Sequence, residues 1–287
     1  MKIKISADST CDLSKELIDK YNIPIMPLHV SLGEKDCLDG ITINPQDIYD
    51  YYATTKKLPK TGARSAEEYT QFFNEILGEG YDAIVHFTIS SDMSASYANA
   101  EIAARELNEV YVIDSRQLST GIGLLVLDAC DMVVAGMSAK DIAERATSRA
   151  IAARSSFIVD TLEFLHKGGR CSSLAYLGAN LLQIKPCLEV KNGLIGVESK
   201  PIGRYRRCVA KYCDAIRKGM TNPDPKRCFI THTQMDEGIA EEVIATVKSW
   251  EIFEEILETT AGCTVTTHCG ANTIGILYIN DGGLKAL

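Results

Sequence analysis

The chain of 287 residues is long enough to bury a large apolar core, and it lies near the size at which one core divides into two domains. Hydrophobic residues make up 46% of the chain and charged residues 24%, which is typical of a folded globular protein and argues against disorder. The net charge of −8 argues against nucleic acid or an anionic membrane surface as the main partner. No apolar stretch approaches the roughly 18 residues of a membrane span, so a cytoplasmic protein is expected.

Strand-length apolar runs alternate with stretches of helical period, which predicts an α/β fold. The first half predicts strands at residues 2–7, 23–30, 83–89 and 110–113. It also predicts helices after the first strand and over residues 95–107, 120–135 and 139–153. The helix over residues 95–107 is expected to bury Ala98, Ile102 and Leu107. Repeated strand, helix, strand units of this kind build a parallel sheet with right-handed crossovers.

The pattern changes near Ser155, and we predict a domain boundary there. The division gives an N-terminal α/β domain over residues 1–155 and a C-terminal α/β domain over residues 156–287. The stretch Val190-Lys191-Asn192-Gly193-Leu194-Ile195 predicts a hairpin, because Asn-Gly favours a two-residue turn, so part of the second sheet is expected to be antiparallel. Further strands are predicted at residues 157–159, 229–231, 254–259 and 273–279, and helices near 206–218 and 238–250.

The ten cysteines are scattered and form no Cys-x-x-Cys pair, so reduced thiols are expected. Cys263, His268 and Cys269 lie close together in the sequence, a spacing that suggests zinc at first sight. No second pair of ligands at a suitable spacing accompanies them. The sequence therefore predicts no metal site.

Three short polar stretches occur at Gly- or Ala-rich turns beside apolar runs. They are Thr61-Gly62-Ala63-Arg64-Ser65, Ile89-Ser90-Ser91-Asp92-Met93-Ser94-Ala95-Ser96 and Lys167-Gly168-Gly169-Arg170-Cys171-Ser172. Small residues let the backbone approach a ligand, hydroxyls donate hydrogen bonds, and a guanidinium binds a carboxylate through two N–H groups. The combination predicts an anion site beside an apolar cavity. The alternative interpretation is that these are ordinary turns and helix caps.

Several of these motifs follow predicted strands directly. Asp8-Ser9-Thr10 follows the first strand, residues 90–94 follow the strand at residues 83–89, and Asp114-Ser115 follows the strand at residues 110–113. The carboxyl ends of parallel strands meet at one edge of a sheet, where ligands bind in open α/β folds. The three loops are therefore expected to converge.

The order of the motifs resembles the DegV family of bacterial fatty-acid-binding proteins over almost the whole chain. The resemblance rests on the Thr61 and Ser94 turns and on four further stretches, Ile3-Lys4-Ile5-Ser6-Ala7-Asp8-Ser9-Thr10-Cys11-Asp12-Leu13, Val112-Ile113-Asp114-Ser115, Lys167-Gly168-Gly169-Arg170 and His268-Cys269-Gly270-Ala271-Asn272-Thr273-Ile274-Gly275. It implies a two-domain fold of the DegV type. The N-terminal domain would be a mainly parallel sheet flanked by helices, and the C-terminal domain a mixed α/β unit.

The resemblance implies a lipid-binding carrier rather than an enzyme. Such a protein binds a long-chain, palmitate-like fatty acid with its tail buried, and it presents the carboxylate to a partner fatty acid kinase. The kinase converts the carboxylate into an acyl phosphate for phospholipid metabolism. No cofactor is expected besides the bound fatty acid, no nucleic acid partner or stable membrane insertion is expected from the charge and the apolar runs, and a monomer is expected.

The resemblance also assigns site residues. Thr61 and Ser94 match the family positions whose hydroxyls bind the carboxylate, and Gly62 and Ser96 lie beside them. Arg170 and His268 match positions near the headgroup, where a cation would stabilise the acyl phosphate. The alternatives are that Arg170 bonds carbonyls at a helix end, and that His268 is a buried histidine satisfied by the backbone.

The chain departs from the family pattern at these motifs. Gly62, Ala63 and Arg64 replace the three middle residues of the usual Thr-Ser-Gln-Pro-Ser, while Met93-Ser94-Ala95-Ser96 replaces Leu-Ser-Gly-Thr. Near the C-terminus, Gly270-Ala271-Asn272 replaces Gly-Pro-Gly. Thr61 and Ser94 are retained, and Arg64 becomes a candidate for a second cation. These departures bear on which ligand is held.

A basic cluster in this acidic chain comprises Lys200, Arg204, Arg206, Arg207 and Lys211. Most such clusters are solvated helix faces. The alternative is a docking surface that steers an acidic face of the kinase, with Arg204, Arg206, Arg207 and Lys211 as the candidate docking residues.

The alternative from another class is an enzyme, namely a hydrolase or acyltransferase that uses Cys11 or Ser94 as nucleophile together with a histidine. No Gly-x-Ser-x-Gly turn surrounds Ser94, and no spacing identifies a base for Cys11. A kinase acting alone is disfavoured because the chain lacks a Gly-x-x-x-x-Gly-Lys-Ser/Thr loop. A carrier of another amphipathic acid or of an isoprenoid would use the same site.

Overall fold

The computed structural model describes residues 1–170 and 184–283. Its strands are β1 (Ile3–Asp8), β2 (Ile25–Met26), β3 (His29–Leu32), β4 (Lys35–Leu38), β5 (Lys60–Gly62), β6 (Ala83–Thr88), β7 (Val110–Asp114), β8 (Ala153–Val159), β9 (Cys187–Lys191), β10 (Leu194–Ser199), β11 (Arg227–His232), β12 (Glu255–Thr260) and β13 (Thr273–Ile279). Its helices are α1 (Lys15–Tyr21), α2 (Pro45–Thr55), α3 (Ala66–Gly78), α4 (Ser96–Ala104), α5 (Thr120–Val134), α6 (Ala139–Ala150), α7 (Glu163–Gly168), α8 (Tyr205–Gly219), α9 (Ile239–Lys248) and α10 (Cys263–Cys269).

The N-terminal half contains the predicted parallel sheet. Its four strands lie in the order β2-β1-β6-β7, and every neighbouring pair is parallel. Successive residues of a strand face opposite sides of a sheet, so Val85 packs with α5 and α6 while Ile84 packs with α3 and α4. Helices therefore cover both faces, which explains why all six residues of β6 are buried.

Helix α5 is shared by the two halves of the chain. It contacts β1 and β6 of the parallel sheet as well as β8, β11 and β13 of the second sheet. A helix packed on two sides is apolar all round, and only Asp131, Val133 and Val134 of α5 are not fully buried. The apolar stretch over residues 120–135 is thus the central helix of the core.

The predicted apolar face of α4 is wrong at two of its three residues, whereas Leu107, just after the helix ends, is half-buried and packs against the cluster that α4 forms with α3. Ala98 and Ile102 are exposed, and Ile102 keeps 51% of its surface. The helix instead buries Ser96, Ala100, Ala103 and Ala104, and the last three pack in one cluster with residues of α3. Small residues let two helices approach closely, so α4 contacts α3 through these alanines and not through Ile102.

The predicted strand over residues 23–30 is two strands that belong to different sheets. Strand β2 pairs with β1, whereas β3 pairs antiparallel with β4 and β5 in a separate three-stranded sheet. Pro27 separates the two and cannot donate a ladder hydrogen bond. The additional small sheet was not predicted, and it matters because β5 carries Thr61.

The C-terminal half forms the expected mixed sheet, in the order β10-β9-β8-β13-β11-β12. Only β11 and β12 are parallel neighbours. The Asn-Gly hairpin is confirmed, because β9 and β10 flank a turn in which both Asn192 and Gly193 have positive φ. Strand β8 begins at Ala153, so the proposed boundary at residue 155 falls within it, and the domain division stays a prediction. The helix predicted over residues 139–153 ends earlier, at Ala150.

The nine cysteines in the described part of the chain are all buried and free. In that same part, no helix has both the length and the apolar content needed to cross a bilayer.

A polar cluster at the rim of an apolar cavity

A cavity of about 410 Å³ lies where the ends of the parallel strands meet α10 and the β9–β10 hairpin. Most of its surface is apolar, and its polar side chains come from the predicted motifs and from α10. The described lining residues are Leu28, Thr61, Gly62, Ala63, Ile89, Met93, Ser94, Ala95, Leu118, Arg170, Ile195, Thr264, Val265, His268 and Cys269.

The loops after β1, β6 and β7 converge as the sequence predicts. Buried Asp8, at the end of β1, accepts a hydrogen bond from the backbone N–H of Ile89 at 3.3 Å and another from the Tyr69 hydroxyl at 2.7 Å. Asp114, at the end of β7, accepts hydrogen bonds from the backbone and the hydroxyl of Ser91. Two carboxylates thus anchor the loop that carries Ser94.

Thr61 and His268 lie 207 residues apart in sequence and meet at the cavity. Thr61 Oγ1 is 2.8 Å from His268 Nε2, while His268 Nδ1 is buried and has no hydrogen-bond partner in residues 1–170 and 184–283. A buried N–H without an acceptor is costly, so the ring proton belongs on Nε2, where it is donated to Thr61. The hydroxyl proton of Thr61 then remains available to an anion in the cavity.

His268 is a neutral side chain at physiological pH. Burial, and to a smaller extent the neighbouring Arg170 guanidinium, lower the pKa of the imidazole to about 4. The interpretation of His268 as a histidine satisfied by the backbone does not fit the structure, because its recorded hydrogen bond is to the Thr61 side chain.

Gly168 packs directly against the imidazole. A Cβ built at this position would lie 2.4 Å from His268 Nδ1 and 3.3 Å from its Cε1. We predict that Gly168→Ala displaces the ring toward solvent, breaks its bond to Thr61 and raises its pKa from about 4 toward the ordinary 6.5. An NMR titration of the imidazole measures this shift.

The matched control for this substitution is Gly78→Ala in α3, where an added Cβ meets nothing within 4 Å. The control should leave the titration of His268 unchanged. A pKa still near 4 in Gly168→Ala would show that the close packing does not hold the ring in place.

Ser94 lies two residues before the start of α4 and lines the cavity. Its Oγ is 2.9 Å from Ser96 Oγ and accepts the backbone N–H of Ser96 at 3.2 Å. Ser96 itself is buried and is not among the described lining residues. Ser96 therefore orients the Ser94 hydroxyl, and the first turn of α4 adds a positive partial charge beside it.

The two arginines near the cavity differ in their environment. Arg170 lines the cavity and donates to the backbone oxygen of Gly168 at 2.8 Å, so it both caps a turn and adds a positive charge at the rim. Cys171 and Ser172 of the same motif lie outside the described residues. Arg64 forms an ion pair with Glu68 at 3.0 Å and is not among the described lining residues, so it does not supply the second cation considered above.

Helix α10 was not predicted, because Thr264-Val265-Thr266-Thr267 is a β-branched run with low helix propensity. Its start is stabilised by two buried carboxylates from the N-terminal half. Asp39 accepts the backbone N–H groups of Cys263 and Thr264, and Asp12 accepts that of Gly262. Burial raises the pKa of Asp12 to about 7.

The helical geometry of α10 reveals Thr264 as a site residue that the sequence analysis missed. It lies one turn before His268 and lines the cavity, and its hydroxyl has no partner within the described residues. Only the i, i+4 spacing would have linked it to His268, and that signal requires knowing that the segment is helical.

The two candidate nucleophiles, Cys11 and Ser94, lie in different environments. Cys11 is fully buried, and burial raises the pKa of its thiol to about 12, so the reactive thiolate is absent near neutral pH. The recorded hydrogen bonds of Ser94 Oγ, in the part of the chain that the structure describes, are to Ser96 and not to a histidine.

The basic cluster lies at the start of α8. Arg206 is bound to Glu242 and to the backbone oxygen of Glu237. Arg204, Arg207 and Lys211 are exposed, and their spacing places them along one side of the helix.

Residues 2–281 match the family model described as "Uncharacterised protein, DegV family". The chain is 31% identical to a DegV domain-containing protein of Clostridium perfringens over 288 residues, which covers 98% of this chain and 99% of that protein.

Two solved structures extend the likeness to the fold. A DegV family protein from Thermus thermophilus, described by its fatty acid binding, superposes with a TM-score of 0.88 at 28% identity, over 98% of this chain and 100% of that one. A stearic-acid-binding protein from Eubacterium ventriosum superposes with a TM-score of 0.80 at 28% identity, over 98% and 99% of the two chains. By its sequence, its two sheets and the motifs around its cavity, the chain belongs to the DegV family.

Proposed function

We propose that the protein binds a long-chain fatty acid in the 410 Å³ cavity, with the carboxylate at the hydroxyls of Thr61 and Ser94, His268 holding the Thr61 hydroxyl in place, and the tail among the apolar side chains. The observation that carries the proposal is the hydrogen bond between Thr61 and His268 beside a cavity that is otherwise mostly apolar. A polar group of this kind at an apolar cavity suits a ligand with one anionic end. The cavity volume lies within the range of roughly 300–1,000 Å³ typical of small-molecule sites.

The headgroup chemistry supports a carboxylate that stays reactive. Thr61 and Ser94 are neutral donors, so they orient a carboxylate without neutralising it. Arg170 is the charged group among the described lining residues, and it lies at the exposed rim, where charge develops when a phosphoryl group is added. Gly62 lets the backbone of β5 approach the ligand.

The relatives support the same ligand class. The T. thermophilus protein is described by its fatty acid binding and the E. ventriosum protein by its binding of stearic acid, and both share this fold along nearly their whole length. The present chain carries hydroxyls at residues 61 and 94, an arginine at residue 170 and a histidine at residue 268, the positions that the family resemblance assigns to the headgroup.

We propose further that the protein is a carrier that presents the bound acid to a fatty acid kinase and does no chemistry itself. The buried, protonated thiol of Cys11 and the absence of a histidine contact to Ser94 in the described residues support this role. The exposed side of α8 with Arg204, Arg207 and Lys211 is the candidate docking surface for an acidic face of the kinase. Arg206 contributes less because it is already paired with Glu242.

Native mass spectrometry of the purified protein, followed by extraction of any bound molecule, tests the proposal. The expected result is one fatty acid per chain. In a titration of protein stripped of lipid, palmitate should bind at least about tenfold tighter than hexadecanol, because the alcohol has the same tail and lacks the charged hydrogen-bond acceptor. Equal binding of the two would contradict the assigned headgroup site, and failure to bind either would contradict the proposed function.

A further inference from the structure

A second, smaller void lies directly behind the wall of the main cavity. Its volume is about 30 Å³, and the two spaces share three lining residues, Leu118, Val265 and Cys269. The other residues around the void include Phe157, Leu277 and several hydroxyl-bearing side chains. The three shared residues therefore form a thin wall between the two spaces.

The wall is built by two elements that are far apart in sequence. Leu118 lies in the segment between β7 and α5, whereas Val265 and Cys269 are one turn apart on α10. All three pack in the same apolar cluster as Phe157. Thr264 and His268 occupy the neighbouring stripe of α10, so this one helix contributes both to the headgroup site and to the wall.

The void beyond the wall can receive an apolar group without leaving its hydroxyls unpaired. Ser119 donates to Asp12 at 2.6 Å, Ser156 lies 2.9 Å from the Tyr212 hydroxyl, and Thr231 lies 3.0 Å from Thr259 Oγ1. Buried hydroxyls that already have protein partners do not require water. Methylene groups that enter this space therefore gain apolar contacts at little polar cost.

We infer that Leu118, Val265 and Cys269 set the longest acyl chain that the cavity accepts, because they close it at the point where further space exists. This inference rests on the proposed fatty-acid function and adds a chain-length determinant to it. Removing the Leu118 side chain should join the void to the main cavity. The void alone has room for about two water-sized groups, so the preferred chain should lengthen by about two carbons or more.

The test measures the dissociation constants of saturated acids from laurate to arachidate for the wild-type protein and for Leu118→Ala, each stripped of lipid. The variant should prefer a longer acid, and each methylene that enters the added space should tighten binding about fourfold. Leu28→Ala is the matched control, since Leu28 lines only the main cavity. It should weaken binding without shifting the preferred length. Val265→Ala is a second, milder variant for the case that Leu118→Ala does not fold.

The outcomes distinguish the inference from the function on which it rests. The inference would be overturned if Leu118→Ala and Val265→Ala left the preferred acyl-chain length unchanged. It would also be overturned if Leu28→Ala shifted the preferred length by the same amount. A wild-type protein that binds none of the acids would overturn the proposed function instead.

Discussion

A chain that carries both Thr61→Val and Ser94→Ala is expected to bind palmitate about a hundredfold or more weaker than the wild-type protein. Each substitution removes one hydroxyl donor to a charged carboxylate, and such a hydrogen bond contributes roughly 1.5–3 kcal/mol. Val matches Thr in shape, so β5 should keep its pairing with β3. Isothermal titration calorimetry of the protein stripped of lipid measures the loss, and circular dichroism checks that the variant folds.

The same variant should abolish acyl-phosphate formation when a fatty acid kinase and ATP are added, because the carboxylate is no longer held for attack. Thr246→Val on α9 with Ser249→Ala directly after it is the matched control. It removes the same chemical groups at positions that are not among the described cavity residues. Unchanged kinase-dependent turnover in the double variant would refute the assignment of Thr61 and Ser94. Turnover of an acyl substrate without any kinase would favour the enzyme alternative.

Arg149→Met is expected to lower the free energy of unfolding by about 3–5 kcal/mol, because it leaves buried carboxylates without their partner. Arg149 bonds Asp224 at 2.6 Å and lies 3.3 Å from Asp128 and 3.4 Å from Asp281. Only 5% of its side-chain surface is exposed, and burial already raises the pKa of Asp128 to about 7. Urea denaturation measures the loss.

The pH dependence of this loss has a definite sign. Without Arg149 the pKa of Asp128 in the folded state rises further. Asp128 is then protonated in the folded state and ionised in the unfolded state over a wider range of pH, so acid stabilises the variant relative to the wild-type protein. The loss in the free energy of unfolding caused by Arg149→Met should therefore be smaller at pH 5 than at pH 8. Lys140→Ala is the control, since its pair with Glu144 is exposed on the surface and should contribute less than about 1 kcal/mol. A loss this small in Arg149→Met would contradict the structural role.

The candidate site shows how far sequence reasoning reaches. The loops after β1, β6 and β7 could be placed at one edge, because parallel strands end at the same side of a sheet. Only the family resemblance assigned four residues to a common headgroup site, and the structure places all four at one cavity. They are Thr61, Ser94, Arg170 and His268. Arg64 lies in the same motif as Thr61, yet its side chain forms an ion pair with Glu68 and is not among the described residues that line the cavity. No local pattern predicts such a choice of partner.

The sequence was sufficient to predict those elements whose conformation depends on residues close together in the chain. The alternation in β1, the apolar run of β6 and the Asn-Gly turn between β9 and β10 each specify their structure through nearby residues. The predicted helix over residues 120–135 is likewise confirmed as α5. Backbone geometry and side-chain period act within a few residues, so the sequence alone determined these elements and the α/β class.

Only the tertiary structure decided the features that depend on distant contacts. Helix α10 forms from a β-branched run because Asp12 and Asp39, more than 200 residues earlier, accept its first N–H groups. The stretch over residues 23–30 divides between two sheets according to which neighbours pair with it. The bond between Thr61 and His268 and the wall behind the cavity exist only once both sheets have packed around α5. These interactions join residues that no local pattern relates, and packing free energy decides between conformations that local propensity leaves nearly equal.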